Sequence, residues 1–384
     1  MLLTKKDIKR HPRSSTTLFY YKDKLYRGIH AKRMAVLPLI DKCENIQPYI
    51  KTNLKLQWGD EVRPVIEHPI LPHLVKVQEL TPRQTLKVVQ SLCKINAELT
   101  KNKFILYDIH EGNIGYHRGQ PLWLDYGAIV QVDKNYKTYA YLKLAYIIHK
   151  YVIKDYKGGY SKFNDKALHK LGGGLSTLYK SDYAKPESWL KLLKWVSVLK
   201  LPVQKSHWND KYSHNMDIAN PANVNPKAKI VSNLLNEIQY KTVTDIACNK
   251  GYYSLLSAHN KDVDVVGFDF VEPCIDFADS FDPKARATFG CSTIEKFLNN
   301  KDEEIERYSS DLVIALAIVH HITFPQPHVQ FAKLMASLTK KYLILEDINT
   351  EATYEKLLPK HGMKLVKRIN SYPGSRKLSL YEKV

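Results

Sequence analysis

The C-terminal part of the chain alternates between short apolar segments and longer amphipathic ones, and this alternation restricts the folds it can form. Short apolar runs predict strands, and segments with a helical period predict helices. From residue 228 onward the order is helix and strand in regular succession. Strands with helices between them predict a parallel sheet covered on both faces, which is a doubly wound α/β fold.

The turn that follows the first of these strands is adapted to ligand binding. The strand "TVTDIA" contains Asp245 and runs into "DIACNKGYYS". Ala247, Asn249 and Gly251 hold its small or turn-adapted positions, because Asn tolerates left-handed backbone geometry and Gly accepts it freely. In an open α/β sheet the ligand lies at the carboxyl ends of the strands, where backbone N–H groups face it. We therefore expect a ligand site at this turn.

The second strand of this part, "DVVGFD", ends in Asp269 and is followed by Phe270. A carboxylate at this position can bind both hydroxyls of a ribose, as in dinucleotide-binding folds. Phe270 can stack on an adenine. On these residues alone, a nicotinamide-binding domain remains open.

The strings "TDIACNKGYYSLL", "VVGFDFVEPCI", "DLVIALAIVHHI" and "YLILED" together resemble class I S-adenosylmethionine-dependent methyltransferases. The resemblance covers roughly residues 226–384 and is strongest to a bacterial group with an "N-K-G-x-Y-S" cofactor loop. It implies a Rossmann-like, seven-stranded sheet that ends in a hairpin, and S-adenosylmethionine as the cofactor. It also implies that Asp245, Asn249 and Gly251 surround the methionine end of the cofactor and that Asp269 binds its ribose.

Three further positions complete the cofactor site that the resemblance implies. Ala247 stands where many members of the family have Gly, and it is small enough to preserve binding. Ser292 lies in the region Cys291–Ser292, where an acidic residue often follows the third strand in the family. Phe270 is expected at the adenine. We predict no metal site in this domain.

Two adjacent histidines, His320 and His321, follow the fourth strand. A neutral imidazole has a pKa suited to accepting a proton near pH 7, so one of them can take the proton from a substrate hydroxyl during methyl transfer. The alternative is that the pair caps the following helix and lines the floor of the pocket. We predict that they are the catalytic residues.

The first half carries a second signature, in "LYDIHEGNIGYHRGQPLWLDYGA". Asp108, Asn113 and Asp125 have the spacing of the catalytic base and two metal ligands of protein kinases and related small-molecule kinases, and "D-Y-G" replaces "D-F-G". Residues 15–200 thus resemble a degenerate kinase-like or aminoglycoside-phosphotransferase-like fold of α+β type. This implies a possible base at Asp108, magnesium ligands at Asn113 and Asp125, and ATP as a possible ligand.

The kinase-like signature lacks two of its usual parts. No G-x-G-x-x-G loop and no V-A-I-K strand is present before residue 108. Only Lys24, Arg27, Lys32 and Arg33 are candidates for the lysine that binds the phosphates. The bacterial group named above has a similar degenerate segment ahead of its catalytic domain. We therefore expect the first half to hold a substrate, and to bind nucleotide weakly or not at all.

The charge of the chain is concentrated in the same half. Residues 1–200 hold 35 Lys and Arg against 17 Asp and Glu, whereas residues 201–384 hold 23 against 22. Such an excess can bind an anionic partner, including nucleic acid, or can simply form a solvated surface. No apolar run is long enough to span a bilayer, and we expect a cytoplasmic protein.

The turn-rich stretch of residues 201–229 sets the predicted domain boundaries. They are a kinase-like, basic, substrate-holding domain over residues 1–205, a linker over 206–228 and the methyltransferase domain over 229–384. The predicted reaction is O-methylation of a small hydroxylated molecule or glycan. Two alternatives remain: a bifunctional kinase–methyltransferase acting on a glycan end, and an RNA methyltransferase that binds through its basic half.

Overall fold

The structure, a computed structural model, divides into two compact units. The described residues are 1–10, 18–30, 34, 36–201, 216–259, 261–282, 284–299, 302–318, 321, 327–348, 351–371 and 376–384. The N-terminal unit comprises Met1–Leu71, Thr85–Gly115 and Gln120–Leu201, and the C-terminal unit comprises Pro72–Gln84, Tyr116–Gly119 and Pro202–Val384. Two segments from the first half of the chain therefore belong to the C-terminal unit. The predicted domain boundaries, with a linker over residues 206–228, assign them to the N-terminal domain.

The N-terminal unit contains a six-stranded sheet. Its strands are β1 (Leu2–Leu3), β2 (Lys9–Arg10), β3 (Leu18–Tyr21), β4 (Lys24–Gly28), β5 (Ile50–Trp58) and β6 (Glu61–His68), in the order β1-β5-β6-β4-β3-β2. Neighbouring strands are antiparallel except β1 and β5. The pattern of "TLFYYKDKLYRGIH" predicts a hairpin over residues 17–30 with its turn at Lys22–Lys24. Strands β3 and β4 form this hairpin, and Lys22 and Asp23 between them have positive φ.

Five shorter strands follow in the chain, and the sequence pattern predicts two of them. They are β7 (Val75–Lys76), β8 (Phe104–Leu106), β9 (Ile114–His117), β10 (Gln120–Trp123) and β11 (Ile129–Gln131). The sequence pattern predicts that "FILYDI" and "PLWLDYG" flank the turn His117–Gln120. Instead β9 precedes that turn, and β8 pairs antiparallel with β11. The strand β9 escapes prediction because Gly115 and a flanking Asn interrupt its apolar pattern.

The helices of the first half are α1 (Leu37–Ile40), α2 (Pro82–Lys101), α3 (Lys134–Ile147), α4 (Asp165–Leu171), α5 (Gly173–Leu178) and α6 (Pro186–Ser197). Thr81 as N-cap and Pro82 at the first helical position predict a helix over residues 81–101, and α2 begins there. The Thr81 hydroxyl accepts a hydrogen bond from the Gln84 N–H at 3.1 Å, and the Gln84 side chain accepts one from the Thr81 N–H at 3.0 Å. These reciprocal bonds form a capping box, which satisfies N–H groups that the helix leaves open.

The C-terminal unit contains a seven-stranded sheet, as predicted. Its strands are β12 (Thr242–Ile246), β13 (Asp264–Asp269), β14 (Ala287–Cys291), β15 (Ser310–Ala315), β16 (Thr339–Ile348), β17 (Met363–Asn370) and β18 (Arg376–Lys383). The order is β14-β13-β12-β15-β16-β18-β17. The first five of these strands are parallel, and β18 is antiparallel to both of its neighbours, which confirms the closing hairpin.

The helices of this unit are α7 (Pro226–Glu237), α8 (Tyr252–Ser257), α9 (Glu272–Phe281), α10 (Ile294–Asn299), α11 (Asp302–Tyr308), α12 (Pro327–Leu338) and α13 (Glu351–Leu357). Leu312, Val313 and Ile314 of β15 are all fully buried although successive side chains face opposite sides of the sheet. Both faces of the sheet are therefore covered, as the α/β pattern predicts.

In the part of the chain that the structure describes, no helix is both long and apolar enough to cross a membrane.

Candidate functional site

The turn after β12 has the left-handed backbone geometry that its residues favour. Ala247, Asn249 and Gly251 have φ values of 60°, 51° and 78°. A Cβ on Gly251 would lie 2.6 Å from the ring of Phe289 and 2.9 Å from the Cβ of Ala278, so both conformation and packing require glycine here. Helix α8 begins directly after Gly251. The turn thus brings the N-terminus of a helix to the carboxyl end of the sheet.

Asp269 ends β13 beside this turn, and backbone N–H groups of nearby loops hold its carboxylate. One oxygen accepts a hydrogen bond from the Asn249 N–H and the other from the Val271 N–H, both at 2.9 Å. Burial raises the pKa of Asp269, and these N–H donors oppose that shift because they stabilise the ionised form. A carboxylate accepts about four hydrogen bonds, so it retains capacity for two ligand hydroxyls.

Asp245 lies on β12, one residue before the end of the strand, and is fully buried. The Ser254 hydroxyl donates to its Oδ2 at 2.6 Å. Burial, with a smaller contribution from the neighbouring Asp269, raises the pKa of Asp245 to about 7, although the hydrogen bonds from Ser254 oppose the shift. A cationic group near Asp245 would favour its ionised form.

A cavity of about 360 Å³ opens at this edge of the sheet. Its lining residues are Ile246, Ala247, Asn249, Phe268, Asp269, Phe270, Val271, Ser292, Thr293, Ile294, Glu295, Phe297, Ile318 and His321. The cavity therefore brings together five of the predicted cofactor residues and one predicted catalytic residue. Asp245 lies on the strand before the turn and Gly251 lies at the end of the turn, and neither residue lines the cavity.

Two features of the cavity match a nucleoside. Phe270 is 59% exposed, an unusual state for a phenylalanine at a sheet edge, and its face is available for stacking. Ser292 is buried, and its Oγ has no hydrogen-bond partner among the described residues. A buried hydroxyl without a partner is costly, so a polar ligand group at Ser292 would stabilise the site.

Sequence reasoning missed one wall of the cavity. Thr293, Ile294, Glu295 and Phe297 follow β14, a strand that the family resemblance implies before the region Cys291–Ser292 but that the short pattern "ATFGC", with its glycine, does not predict by itself. The segment "STIEKFLNN" does have helical spacing, with Ile294 and Phe297 three residues apart. That spacing was the available signal.

The two histidines differ in what the structure describes. His321 is exposed and lines the cavity, and its backbone N–H donates to the Ile318 carbonyl at 2.9 Å. His320 lies outside the described residues. A catalytic role for either histidine stays a prediction.

A buried ion pair lies near the end of β16. Glu346 is fully buried, and its carboxylate is 3.0 Å from Lys227 Nζ and accepts a hydrogen bond from the Ser371 hydroxyl at 3.1 Å. Lys227 Nζ also lies 5.6 Å above the ring of Tyr253, a residue of α8. This pair places charge and hydrogen-bonding groups beside the helix that follows the Ala247–Gly251 turn.

The three kinase-like residues lie close together in the N-terminal unit. The Asn113 side chain donates to the Asp108 carbonyl at 3.0 Å, and the Asn113 carbonyl accepts from the Leu124 N–H at 3.0 Å, one residue before Asp125. The three residues that the motif spacing selects therefore lie in one cluster in the structure. Within the described residues, no group of three or more His, Cys, Asp and Glu side chains is arranged to hold a metal ion.

Basic side chains contact both carboxylates of this cluster. Arg27 Nη1 lies 2.8 Å from Asp125 Oδ1, which also accepts from the Gly127 N–H at 2.8 Å. Lys143 Nζ lies 3.5 Å from Asp108 Oδ1, and His110 Nε2 lies 3.6 Å from the other Asp108 oxygen. Of the basic residues proposed from the sequence, Arg27 lies at Asp125, whereas Lys32 and Arg33 lie outside the described residues.

No protein-family model matches this chain. It is 26% identical over 162 residues to nodulation protein NoeA of Rhizobium meliloti, an alignment that covers 39% of this chain and 33% of that protein. The chain thus spans about a third of the length of that curated relative.

Two solved structures are similar to about 40% of this chain. One is a TehB-like SAM-dependent methyltransferase from Corynebacterium glutamicum, with 12% identity, a TM-score of 0.33, and coverage of 40% of this chain and 87% of that one. The other is a SAM-dependent methyltransferase from Methanosarcina mazei, with 16% identity, a TM-score of 0.32, and coverage of 39% and 96%.

Proposed function

We propose that the C-terminal unit is an S-adenosylmethionine-dependent methyltransferase. The observation that carries the proposal is the cavity at the carboxyl end of the sheet, with Asp269 at one side and the Ala247–Gly251 turn beside it. Its volume lies in the range of pockets for small ligands, which is about 300–1,000 Å³. The strand order and the antiparallel β18 support the same class of enzyme.

The residues of the cavity fit the parts of this cofactor. Asp269 has two acceptor positions left for the ribose hydroxyls, Ser292 has an unsatisfied hydroxyl, and Phe270 offers an aromatic face to the adenine. Asp245, behind the turn, would be stabilised in its ionised form by the positive charge of the methionine end. When bound, S-adenosylmethionine supplies an electrophilic methyl group.

For the acceptor, we propose a small hydroxylated molecule or a glycan that is methylated on oxygen. His321 lines the cavity and is exposed, so its imidazole can accept the proton that the attacking hydroxyl loses.

For the N-terminal unit, we propose a kinase-like fold that holds the substrate and transfers no phosphate. The Arg27 guanidinium neutralises Asp125, the carboxylate that would have to bind magnesium. The assembled cluster of Asp108, Asn113 and Asp125 favours, as the alternative, a bifunctional kinase–methyltransferase. The positive charge of residues 1–200 favours, as a further alternative, an RNA methyltransferase.

The experiment is methyl transfer from labelled S-adenosylmethionine into cell extract separated into RNA, glycan and small molecules. We expect label in the glycan or small-molecule fraction. The His321→Gln variant should lower transfer about 100-fold or more without weakening binding of S-adenosylhomocysteine. Label in RNA would favour the RNA alternative, and no label in any fraction, together with no cofactor binding, would contradict the proposal. A parallel reaction with labelled ATP and magnesium tests phosphate transfer.

A further inference from the structure

Two short segments from the first half of the chain belong to the C-terminal unit. We call Pro72–Gln84 the first inserted segment and Tyr116–Gly119 the second inserted segment. Neither contributes a side chain to the lining of the described cavity. Both, however, contact the elements on which the cavity is built.

The second inserted segment is bound to α9 and to β14, the outer strand of the sheet. The buried Tyr116 hydroxyl lies 2.9 Å from each carboxylate oxygen of Asp279 on α9. The Arg118 N–H donates to Thr288 Oγ1 on β14 at 2.8 Å, and the Arg118 guanidinium lies 2.8 Å from Asp264 at the start of β13. The segment therefore fixes α9 relative to two strands.

The first inserted segment is bound to the same two elements. The buried Gln84 side chain donates to the Phe289 carbonyl on β14 at 2.9 Å and to Asp279 at 3.3 Å. The Thr81 hydroxyl donates to Asp276 on α9 at 2.5 Å. An outer strand has backbone groups that no neighbouring strand pairs, and Gln84 satisfies one of them.

The two elements that these contacts hold also pack against the Ala247–Gly251 turn, which we call the cofactor turn. Gly251 packs directly against Phe289 and Ala278, which belong to β14 and α9. A shift of either element would change the space available to Gly251 and hence the turn that it forms.

A second route leads to the opposite wall of the cavity. Glu79 is 1% exposed and accepts a hydrogen bond from the Tyr308 hydroxyl at 2.5 Å, and Lys296 Nζ lies 3.4 Å away. The ring of Tyr308 packs against Phe268 and Phe297, with centroid distances of 4.7 and 5.9 Å. Both phenylalanines line the cavity.

We propose that Glu79, Gln84 and Tyr116 are positioning residues for the cofactor cavity, so that the first half of the chain supplies part of the methyltransferase unit. Gln84 and Tyr116 act through Phe289 and Asp279 on the cofactor turn. Glu79 acts through Tyr308 on the aromatic wall. The inference rests on the proposed function, because it takes the cavity to be the cofactor site.

The test uses the full chain and two readouts, both well below the unfolding temperature. Calorimetry gives the affinity for S-adenosylhomocysteine, and hydrogen exchange gives the protection of residues 247–252. Tyr116→Phe and Glu79→Leu should each weaken binding about 5- to 30-fold, the effect of one or two lost hydrogen bonds, and Tyr116→Phe should speed exchange in the turn. Glu79→Gln keeps an acceptor for Tyr308 and should restore most of the affinity.

The control is Tyr183→Phe, which removes another buried hydroxyl, bonded to the Leu178 carbonyl at 3.1 Å in the N-terminal unit. It should leave both readouts within twofold of the wild type. If Tyr116→Phe changes them no more than this control does, the positioning role is wrong. If the wild type does not bind S-adenosylhomocysteine, the proposed function is contradicted. In that case hydrogen exchange still tests the inference, because unchanged exchange of residues 247–252 in Tyr116→Phe would overturn it.

Discussion

Asp269 is the last residue of β13 and Asp125 lies two residues after β10, and sequence motifs assign a ligand-binding role to both carboxylates. Their surroundings differ. Asp269 accepts hydrogen bonds from the N–H groups of Asn249 and Val271 and lines a cavity. Asp125 contacts the guanidinium of Arg27. Neutral N–H donors orient a carboxylate and leave its charge for a ligand, whereas a guanidinium neutralises it.

The difference shows which surroundings of a carboxylate a sequence motif can predict. The two N–H groups at Asp269 come from its own loop and from the adjacent turn, which the motif includes. Arg27 lies 98 residues before Asp125, on a strand of the six-stranded sheet. A motif fixes residue types and spacing, so it predicts the first environment and not the second.

A third carboxylate extends the comparison and should give the largest effect. Asp245 is fully buried with the Ser254 hydroxyl as a donor, and its pKa is raised to about 7. Because the folded pKa exceeds the unfolded one, the group contributes stability at low pH and loses it as the pH rises from about 4 to about 7. The neutral Asp245→Asn variant lacks this loss. Its free energy of unfolding relative to the wild type should rise across that window by on the order of 3 kcal/mol.

Urea denaturation of the ligand-free protein at several pH values between 4.5 and 8 measures this difference. Ser254→Ala serves as a control that removes the donor and keeps the titrating group. Parallel pH profiles for wild type and Asp245→Asn would show that the buried carboxyl does not titrate in this window.

The same substitution at the two compared positions tests the comparison directly. Asp269→Ala removes the proposed ribose acceptor and should weaken binding of S-adenosylhomocysteine by roughly 10- to 150-fold, or about 1.5–3 kcal/mol. Asp125→Ala should leave that affinity unchanged, because its carboxylate is bound to Arg27 in the other unit. Calorimetry measures the affinity of both variants for S-adenosylhomocysteine. Equal affinities in Asp269→Ala and the wild type would refute the ribose assignment.

The ion pair at Asp125 should show as coupling between its partners. The Arg27 and Asp125 side chains are 10% and 23% exposed, so removing one charge leaves the other partly desolvated. Arg27→Met should lower the free energy of unfolding by about 1–2 kcal/mol, and Arg27→Met with Asp125→Asn should cost less than the sum of the single changes. A double-mutant cycle from urea denaturation measures the coupling. Strict additivity would mean that the pair is not formed in solution.

The sequence predicts more of the fold of the C-terminal unit than of its candidate site. Strands β15 and β16 contain the uninterrupted apolar runs of residues 312–315 and 342–345, and the turn at Ala247–Gly251 needs residues that accept positive φ. These are local properties. The wall formed by Thr293–Phe297 depends on β14, whose short pattern with a glycine is ambiguous.

The inserted segments could not be predicted, because their partners are remote in the sequence. Tyr116 and Asp279 are 163 residues apart, and Glu79 and Tyr308 are 229 apart. Nothing in the pattern around Glu79 distinguishes an acid that will be buried from one that will be solvated. Only the fold decides which of them lie together.

The smallest effect is expected from a single cut between the two halves. The stretch of residues 205–225 is rich in turn-forming residues, and we expect limited proteolysis to cut there first. Because Pro72–Gln84 and Tyr116–Gly119 precede the cut but belong to the C-terminal unit, the two fragments should remain associated. The nicked protein should elute as one species and bind S-adenosylhomocysteine within about twofold of the intact chain, since the Asp269 site loses no contact. Gel filtration in denaturant, which separates the fragments, is the control. A first cut within residues 230–384 would place the boundary elsewhere, and separation of the fragments without denaturant would show that the inserted segments do not hold the unit together.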